Sequence, residues 1–480
     1  MKVFFHTFGC KANQYDTDQV RQAFADRGAV VVDDPAAADV AVVNSCTVTH
    51  ESEAKLRRFV RRLARRDRAL ETVVMGCAAA LDDGRIARLP SVRAVVGGAE
   101  PAEVLHAAGF ATPGPLPVVG SSPPVPLSLR ERGDSPRSPL SARARGWLKI
   151  QDGCDEHCTF CATTIARGAN RSRPIPELVR EAQALAEHHA EIVLTGIHIG
   201  TYGRDGMSGA ADPGAVPRGP GGKGLPGSSA GAVPRGPSLP GSNARAVPPG
   251  DTGEGSAGWN PGPSARGQPS LSRLLEALIQ AVPAVRFRLS SIEATEVDDT
   301  IARLLIEAPR HVAAHLHAPL QSGSNRVLKR MGRHWYTAES YRARIEWLAE
   351  RLPVLGLGAD IIAGFPGETD ADHHATVALV EALPFTYLHV FPFSVRPDAP
   401  AARLKEQLAP GIVRDRARAL RELGEAKERA YRRARSGQQA DGIASGHGEG
   451  KIEVLTEDYL SVYLPISQWN GRPRLEVTVD

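Results

Sequence analysis

With 480 residues, 42% hydrophobic content and a formal net charge of +4, the chain is long enough for about two to four domains and is neither acidic nor strongly basic overall. No apolar run reaches the ~18 residues of a membrane span. The start Met1-Lys2-Val3-Phe4-Phe5-His6 has no cationic stretch leading into a long apolar one, so the expectation is a cytoplasmic protein with no leader and no membrane contact.

Residues 1–111 alternate strand and helix patterns. Strand 2–7 is followed by a helical stretch near 14–27. Strand 40–44 leads past Cys46 into a helix whose Leu56, Phe59, Val60 and Leu63 recur at helical spacing, and strands 72–75 and 92–96 follow. This predicts an open parallel α/β domain. Cys10, Cys46 and Cys77 each lie just past an apolar run: Val3-Phe4-Phe5, Val40-Ala41-Val42-Val43 and Val73-Val74-Met75. In a parallel sheet that edge is where ligand-binding residues collect. Taken alone, though, three such cysteines read as small buried core residues.

Residues 112–143, rich in Pro, Ser and Gly, predict a linker. Between 144 and 410, strand patterns at 147–150, 191–195, 285–290, 313–317, 357–362 and 386–391 alternate with helical ones at 176–188, 271–281, 297–307, 338–351 and 370–382. Repeated units of this kind predict a six-unit partial (β/α) barrel with its chemistry at the C-terminal strand ends. Residues 203–270 interrupt it. They are dominated by Gly, Pro, Ala and Ser, and residues 215–220 recur as 232–237, which predicts a disordered insertion. A helix over 411–435 and β patterns at 451–455, 460–464 and 475–479 predict a basic helix and a small C-terminal β domain in 411–480.

Charge is uneven. Residues 55–68 hold eight Lys or Arg against Asp67 alone, and residues 403–435 hold eleven against five acids. Such faces are either simply solvated or suited to a phosphate backbone.

Of the six cysteines, three form Cys154-x-x-x-Cys158-x-x-Cys161. Three thiolates can hold three irons of a [4Fe-4S] cube and leave the fourth open, which four cysteines would not. Zinc sites usually pair C-x-x-C units or add distant histidines, and His157 inside the motif is too close in sequence to complete a tetrahedron easily.

The motif resembles that of the radical S-adenosylmethionine enzymes. Further motifs resemble the methylthiotransferases among them: Thr7-Phe8-Gly9-Cys10-Lys11-Ala12-Asn13, Val43-Asn44-Ser45-Cys46-Thr47, Gly76-Cys77-Ala78, Leu194-Thr195-Gly196-Ile197-His198, Pro319-Leu320-Gln321-Ser322-Gly323 and Gly364-Phe365-Pro366-Gly367-Glu368. Gln151-Asp152-Gly153-Cys154-Asp155 and Leu388-His389-Val390-Phe391-Pro392 are similar in wording to the members that act on threonylcarbamoyladenosine in tRNA.

The resemblance implies two [4Fe-4S] clusters, one on Cys154, Cys158 and Cys161 and a sulfur-carrying one on Cys10, Cys46 and Cys77. It implies S-adenosyl-L-methionine as cofactor, cleaved to a 5′-deoxyadenosyl radical, a tRNA substrate, and an electron donor such as flavodoxin or ferredoxin. Cofactor contacts are expected at successive strand ends: Thr195 and Gly196, Ser290, Ser291 and Glu293, Gln321, then Gly364 and Glu368. Thr164 and Ile165 stand where relatives often carry a proline and an aromatic, which touches packing near the substrate. Open alternatives are an isopentenyladenosine in tRNA, an aspartate of a ribosomal protein, or a cluster-bearing RNA-binding protein without turnover.

Overall fold

The computed structural model describes residues 1–47, 50–67, 69–110, 144–205, 269–448 and 450–480. The expected linker lies outside them, as does nearly all of the expected insertion. The insertion's edges do not. Gly203 donates its backbone N–H to Ser172 Oγ at 2.8 Å and packs on Pro269, so 203–205 and 269–270 belong to the folded unit.

The N-terminal part runs β1 (Lys2–Thr7), α1 (Lys11–Asp26), β2 (Val30–Val32), β3 (Val40–Ser45), α2 (His50–Arg66), β4 (Glu71–Gly76), α3 (Cys77–Ala80), β5 (Val92–Val96) and α4 (Pro101–Ala107). Its five strands are parallel in the order β2-β1-β3-β4-β5. Along β3, Val40 and Val42 pack with Val20 and Phe24 of α1, while Ala41 and Val43 pack with Leu56, Val60 and Leu63 of α2. Both faces are covered, so the strands read as unbroken apolar runs. Helix α1 starts at Lys11, earlier than the expected 14; its first turn, Lys11-Ala12-Asn13-Gln14, is mostly polar and offers no apolar period to read.

The central part contains β6 (Arg145–Lys149), a short antiparallel ribbon of β7 (Gln151–Asp152) and β8 (Arg171–Ser172), α5 (Thr163–Arg167), α6 (Ile175–Ala186), β9 (Glu191–Thr195), α7 (Leu271–Ala281), β10 (Arg286–Leu289), α8 (Asp299–Glu307), β11 (His315–His317), α9 (Asn325–Arg330), α10 (Ala338–Arg351), β12 (Gly356–Ala363), α11 (Asp370–Ala382) and β13 (Tyr387–Pro392). Strands β6-β9-β10 and β11-β12-β13 form two parallel runs, joined by the bridges Phe287–Val312 and Ser291–His317. This is the expected six-strand partial barrel. The pairing stays in chain order because each crossover helix returns the chain to the neighbouring strand.

Alternate residues of the barrel strands do two different jobs. Leu148, Ile192, Leu194, Phe287, Leu289, Leu316, Leu357 and Ile361 join the core under the helices. The intervening Glu191, Arg286, Arg288, His315, His317, Asp360, Tyr387 and His389 bond to one another across the interior. Gly358 makes room for this. A Cβ there would lie 2.0 Å from the Tyr387 ring.

Helix α12 (Pro410–Arg435) leads into an antiparallel sheet of β14 (Gln439–Gly448), β15 (Lys451–Thr456), β16 (Ser461–Pro465) and β17 (Arg474–Thr478), ordered β16-β15-β14-β17. Strand β14 has no sequence signal of its own. Gln439–Gly448 has one β-branched residue, Ile443, among Gly442, Gly446 and Gly448, and it is ordered by the two partners it pairs with. The turn after β15 plugs the N-terminal end of the barrel. Arg288 donates to the main-chain oxygens of Thr456 (2.9 Å) and Glu457 (3.1 Å), and Arg286 to that of Asp441 (2.6 Å).

Candidate functional site

The loop 154–161 leaves β7 through Gly153, whose φ is +70° and whose Cβ, if present, would lie 1.9 Å from Ala169 O. Only glycine fits there. Gln151 clasps the loop to the end of β9. Its Nε2 donates to Gly153 O (2.6 Å) and Asn170 Oδ1 (2.7 Å), and its Oε1 accepts from the amides of Ile197 and His198, both at 2.9 Å. The far side is held by Thr159, which donates its N–H to Met331 O at 2.8 Å.

Each sulfur of the loop meets a nitrogen. The Thr163 amide donates to Cys161 Sγ at 3.3 Å, Arg333 Nη1 to Cys158 Sγ at 3.6 Å, and His198 Nδ1 lies 3.8 Å from Cys154 Sγ. Burial pushes the Cys158 thiol up to about 12; Arg333 opposes this, and the neighbouring Cys161 and Cys154 add to it. Bound iron takes thiolates and would displace that proton. Three clustered, undisulfided thiols facing N–H donors suit an iron–sulfur group.

The second set comes from three strand ends. Cys10 caps α1, Cys46 follows β3 and Cys77 opens α3 after β4. Buried polar side chains draw these ends together. Asn13 Nδ2 donates to Asn44 Oδ1 (2.8 Å) and Ser45 O (3.0 Å), Asn44 Nδ2 returns a bond to Asn13 O (2.9 Å), and Ser45 Oγ links Met75 O (2.6 Å) to the Ala79 amide (3.1 Å). Cys10 Sγ donates to Asn13 Oδ1 at 3.2 Å, and a Cβ on Gly9 would lie 3.2 Å from Cys46 Sγ. All three cysteines thus share one sheet edge, beside the β1/β3 switch point where such sheets bind ligands.

Arg167, at the end of α5, joins the two sets. It donates through Nε to Cys77 Sγ (3.0 Å), through Nη2 to Asp16 (2.9 Å) and Asn13 (3.2 Å), and through Nη1 to Asp152 (3.0 Å). Burial opposes its charge, but Asp16, Cys77 and Asp152 hold the guanidinium protonated. Lys149 adds ion pairs to Asp16 and Asp152. On the other flank, Arg396 beyond β13 bonds to Thr47, the residue after Cys46, and to Glu53. The two open ends of the partial barrel therefore both reach the N-terminal sheet.

The expected cofactor contacts fall into two groups. Thr195, Ser290, Glu293 and Gln321 are buried at successive strand ends. A Cβ on Gly196 would lie 2.8 Å from Gln151 O, Ser291 is exposed, and Glu293 pairs with Arg333 and Trp335. Gly364 and Glu368 sit otherwise. Glu368 Oε2 accepts from the amides of Gly364 (2.9 Å) and Phe365 (3.2 Å), while Oε1 accepts from Arg416 of α12 (2.9 Å), and Gly364 packs on Val413. Thr164 and Ile165 lie in α5; the Thr164 hydroxyl bonds to Glu156 O at 3.2 Å and Ile165 is exposed.

The basic helices carry fewer free cations than the sequence suggests. Arg416 and Arg435 of α12 are buried in ion pairs, and Arg57 and Arg58 of α2 pair with Glu53 and Glu51.

Residues 2–97 match an uncharacterized protein family, UPF0004, and residues 259–380 match the radical SAM superfamily. The chain is 33% identical over 431 residues to the threonylcarbamoyladenosine tRNA methylthiotransferase MtaB of Bacillus subtilis, covering 89% of this chain and 81% of that protein. The chain belongs to the radical S-adenosylmethionine methylthiotransferases. The MtaB protein of Aquifex aeolicus is 29% identical over 96% of each chain. A tRNA-2-methylthio-N(6)-dimethylallyladenosine synthase of Sorangium cellulosum is 32% identical over 92% of this chain and 81% of that one. Among solved structures, the radical S-adenosylmethionine methyltransferase TsrM of Kitasatospora setae shares the fold, with a TM-score of 0.52 at 15% identity over 83% of this chain and 74% of that chain. The methylthiotransferase described here is an enzyme that uses S-adenosyl-L-methionine and two [4Fe-4S] clusters. No helix among the described residues is long and apolar enough to cross a membrane.

Arg167, Arg333, Arg396, His198 and Gln151 escaped the sequence reading as site residues. Their only signal was polarity inside or beside a motif, which does not say what a long side chain will reach.

Proposed function

We propose that this methylthiotransferase adds a methylthio group to the 2-position of N6-threonylcarbamoyladenosine beside the anticodon of tRNA. The observation that carries the proposal is the placement of two three-cysteine edges on either side of Arg167, facing a barrel whose interior is polar. The MtaB relatives, matched over most of their length, support the threonylcarbamoyl substrate.

Cys154, Cys158 and Cys161 would hold one cluster and Cys10, Cys46 and Cys77 the other. When bound, the first supplies the electron that cleaves S-adenosylmethionine and the second supplies the sulfur. Thr195, Gly196, Ser290, Ser291, Glu293 and Gln321 would position S-adenosylmethionine at the strand ends. Arg333 and His198 set donors beside the Cys158 and Cys154 sulfurs. Arg167 fixes the distance between the two edges. The enzyme works in the cytoplasm, and a flavodoxin or ferredoxin delivers the electron.

Nucleoside mass spectrometry of tRNA from a strain lacking this gene tests the proposal. The 2-methylthio form of threonylcarbamoyladenosine should vanish while its precursor accumulates. Loss of the isopentenyl counterpart instead would move the substrate to the other tRNA branch.

A further inference from the structure

At the N-terminal end of the barrel several buried donors are left unpaired among the described residues, beside one unpaired acceptor, Glu457 Oε2. Glu191 is the one carboxylate shared by Arg145, Arg286 and Arg288. Arg286 completes its set on Asp441, and Arg288 on the turn after β15. Arg145 does not. Among the described residues its Nη2 is closed off from solvent and has no partner, and the same holds for Trp147 Nε1 and His315 Nδ1. These groups adjoin one another. Arg145 lies over the Trp147 ring at 5.4 Å, and His315 stacks on Tyr459 at 4.4 Å. Tyr459 in turn carries Arg288 at 5.4 Å and Lys11 at 5.9 Å from its ring centroid.

Lys11 opens α1 of the N-terminal part and follows Cys10 directly. Among the described residues its ammonium has the Tyr459 ring beside it and no hydrogen bond or ion pair; its charged neighbours are Arg145 and Arg288, with the carboxylate of Glu191 partly offsetting them. Lys11 is half-buried, and burial together with Arg145 and Arg288 lowers its pKa to about 8.

Buried polar groups in folded proteins are nearly always paired. Cations and unpaired donors gathered on the barrel strands β6, β10 and β11 call for an acceptor, and the charge calls for an anion. We propose that Lys11 and Arg145 receive the carboxylate on the N6 substituent of the substrate, with His315 Nδ1 pairing to the neighbouring hydroxyl. This rests on threonylcarbamoyladenosine being the substrate. In adenine, the 2-position and the N6 arm point in different directions from the six-membered ring. With the 2-position at the cysteines, the arm extends in this reading to Lys11, the residue after Cys10. An isopentenyl arm has no acceptor and would leave these donors unpaired, which is how a hydrogen-bonding site rejects an apolar analogue.

The test uses the reconstituted full-length enzyme and an anticodon stem-loop RNA carrying threonylcarbamoyladenosine, its carboxyl methyl ester, or adenosine. Affinity is read by fluorescence anisotropy. The wild type should bind the acid at least about tenfold more tightly than the ester, the scale of one charge-assisted hydrogen bond. Lys11→Met should bring the acid down to the ester and leave ester binding alone, and Lys11→Arg should keep most of the preference. Equal binding of acid and ester by the wild type overturns the proposal without any variant, so a Lys11 variant that loses iron does not obscure the result. An undiminished acid preference in an iron-replete Lys11→Met protein also overturns it. If the substrate assignment itself is wrong, the signature differs: the wild type would methylthiolate isopentenyladenosine tRNA and leave threonylcarbamoyladenosine tRNA unmodified.

Discussion

The two cysteine sets are built on opposite plans. Cys154, Cys158 and Cys161 sit in one loop, and their mutual reach is fixed by short stretches of chain and by Gly153. Cys10, Cys46 and Cys77 meet only because β1, β3 and β4 are neighbours and because Asn13, Asn44 and Ser45 pin the strand ends. A local set survives as long as its loop does. A dispersed set exists only when its sheet is folded.

Replacing one set at a time should give the largest effects. Cys154, Cys158 and Cys161 changed together to Ala should leave about half the iron of a two-cube protein and abolish release of 5′-deoxyadenosine. The corresponding change at Cys10, Cys46 and Cys77 should also leave about half the iron and block methylthiolation, yet 5′-deoxyadenosine release should continue with reductant and S-adenosylmethionine. Iron assay and liquid chromatography read both. If the second variant were well folded but released no 5′-deoxyadenosine, the sets could not act separately.

Arg167 is where the contrast should break down, because it touches both plans. Arg167→Met would leave buried Asp16 and half-buried Asp152 with Lys149 as their remaining cation, at a cost of about 1 to 3 kcal/mol. Urea unfolding should show this loss, and iron should fall in both halves. Arg167→Lys keeps the charge but not the fork that spans four partners, so it should recover only part. A variant with unchanged unfolding and full iron would mean that the seam is held elsewhere, with Arg396 the next residue to examine.

The same contrast explains what was legible in the sequence. The three-cysteine loop could be read because its geometry lies in its spacing. The barrel strands could be read because Ile192, Leu194, Phe287 and Leu289 feed one core at period two. The gathering of Cys10, Cys46 and Cys77 could be suspected from strand ends, but only resemblance made it a ligand set. Strand β14 and the start of α1 were lost where apolar period fades and tertiary partners decide. The arginine seam and the polar barrel floor were invisible. A sequence shows that Arg167, Arg288 and Lys11 are charged, but not that the fold turns them inward.

Glu368 gives the smallest effect and sharpens the contrast at the barrel's rim. Both its oxygens are taken: Oε2 by the turn amides of Gly364 and Phe365, Oε1 by Arg416. Burial raises its pKa, opposed by Arg416 and the turn amides, and α12 depends on the carboxylate for a buried ion pair. Its position after the fifth strand suggests a cofactor contact, while its bonds describe a clamp between the barrel and α12. The two roles predict different losses. If Glu368 is a clamp, Glu368→Gln should lower stability by about 1 to 3 kcal/mol, the cost of weakening one charged hydrogen bond next to a buried partner, and leave S-adenosylmethionine affinity unchanged. If it is a cofactor contact, isothermal titration should show weaker S-adenosylmethionine binding at unchanged thermal stability. The clamp is the expected outcome, because a carboxylate already satisfied on both oxygens has little left to offer a ligand.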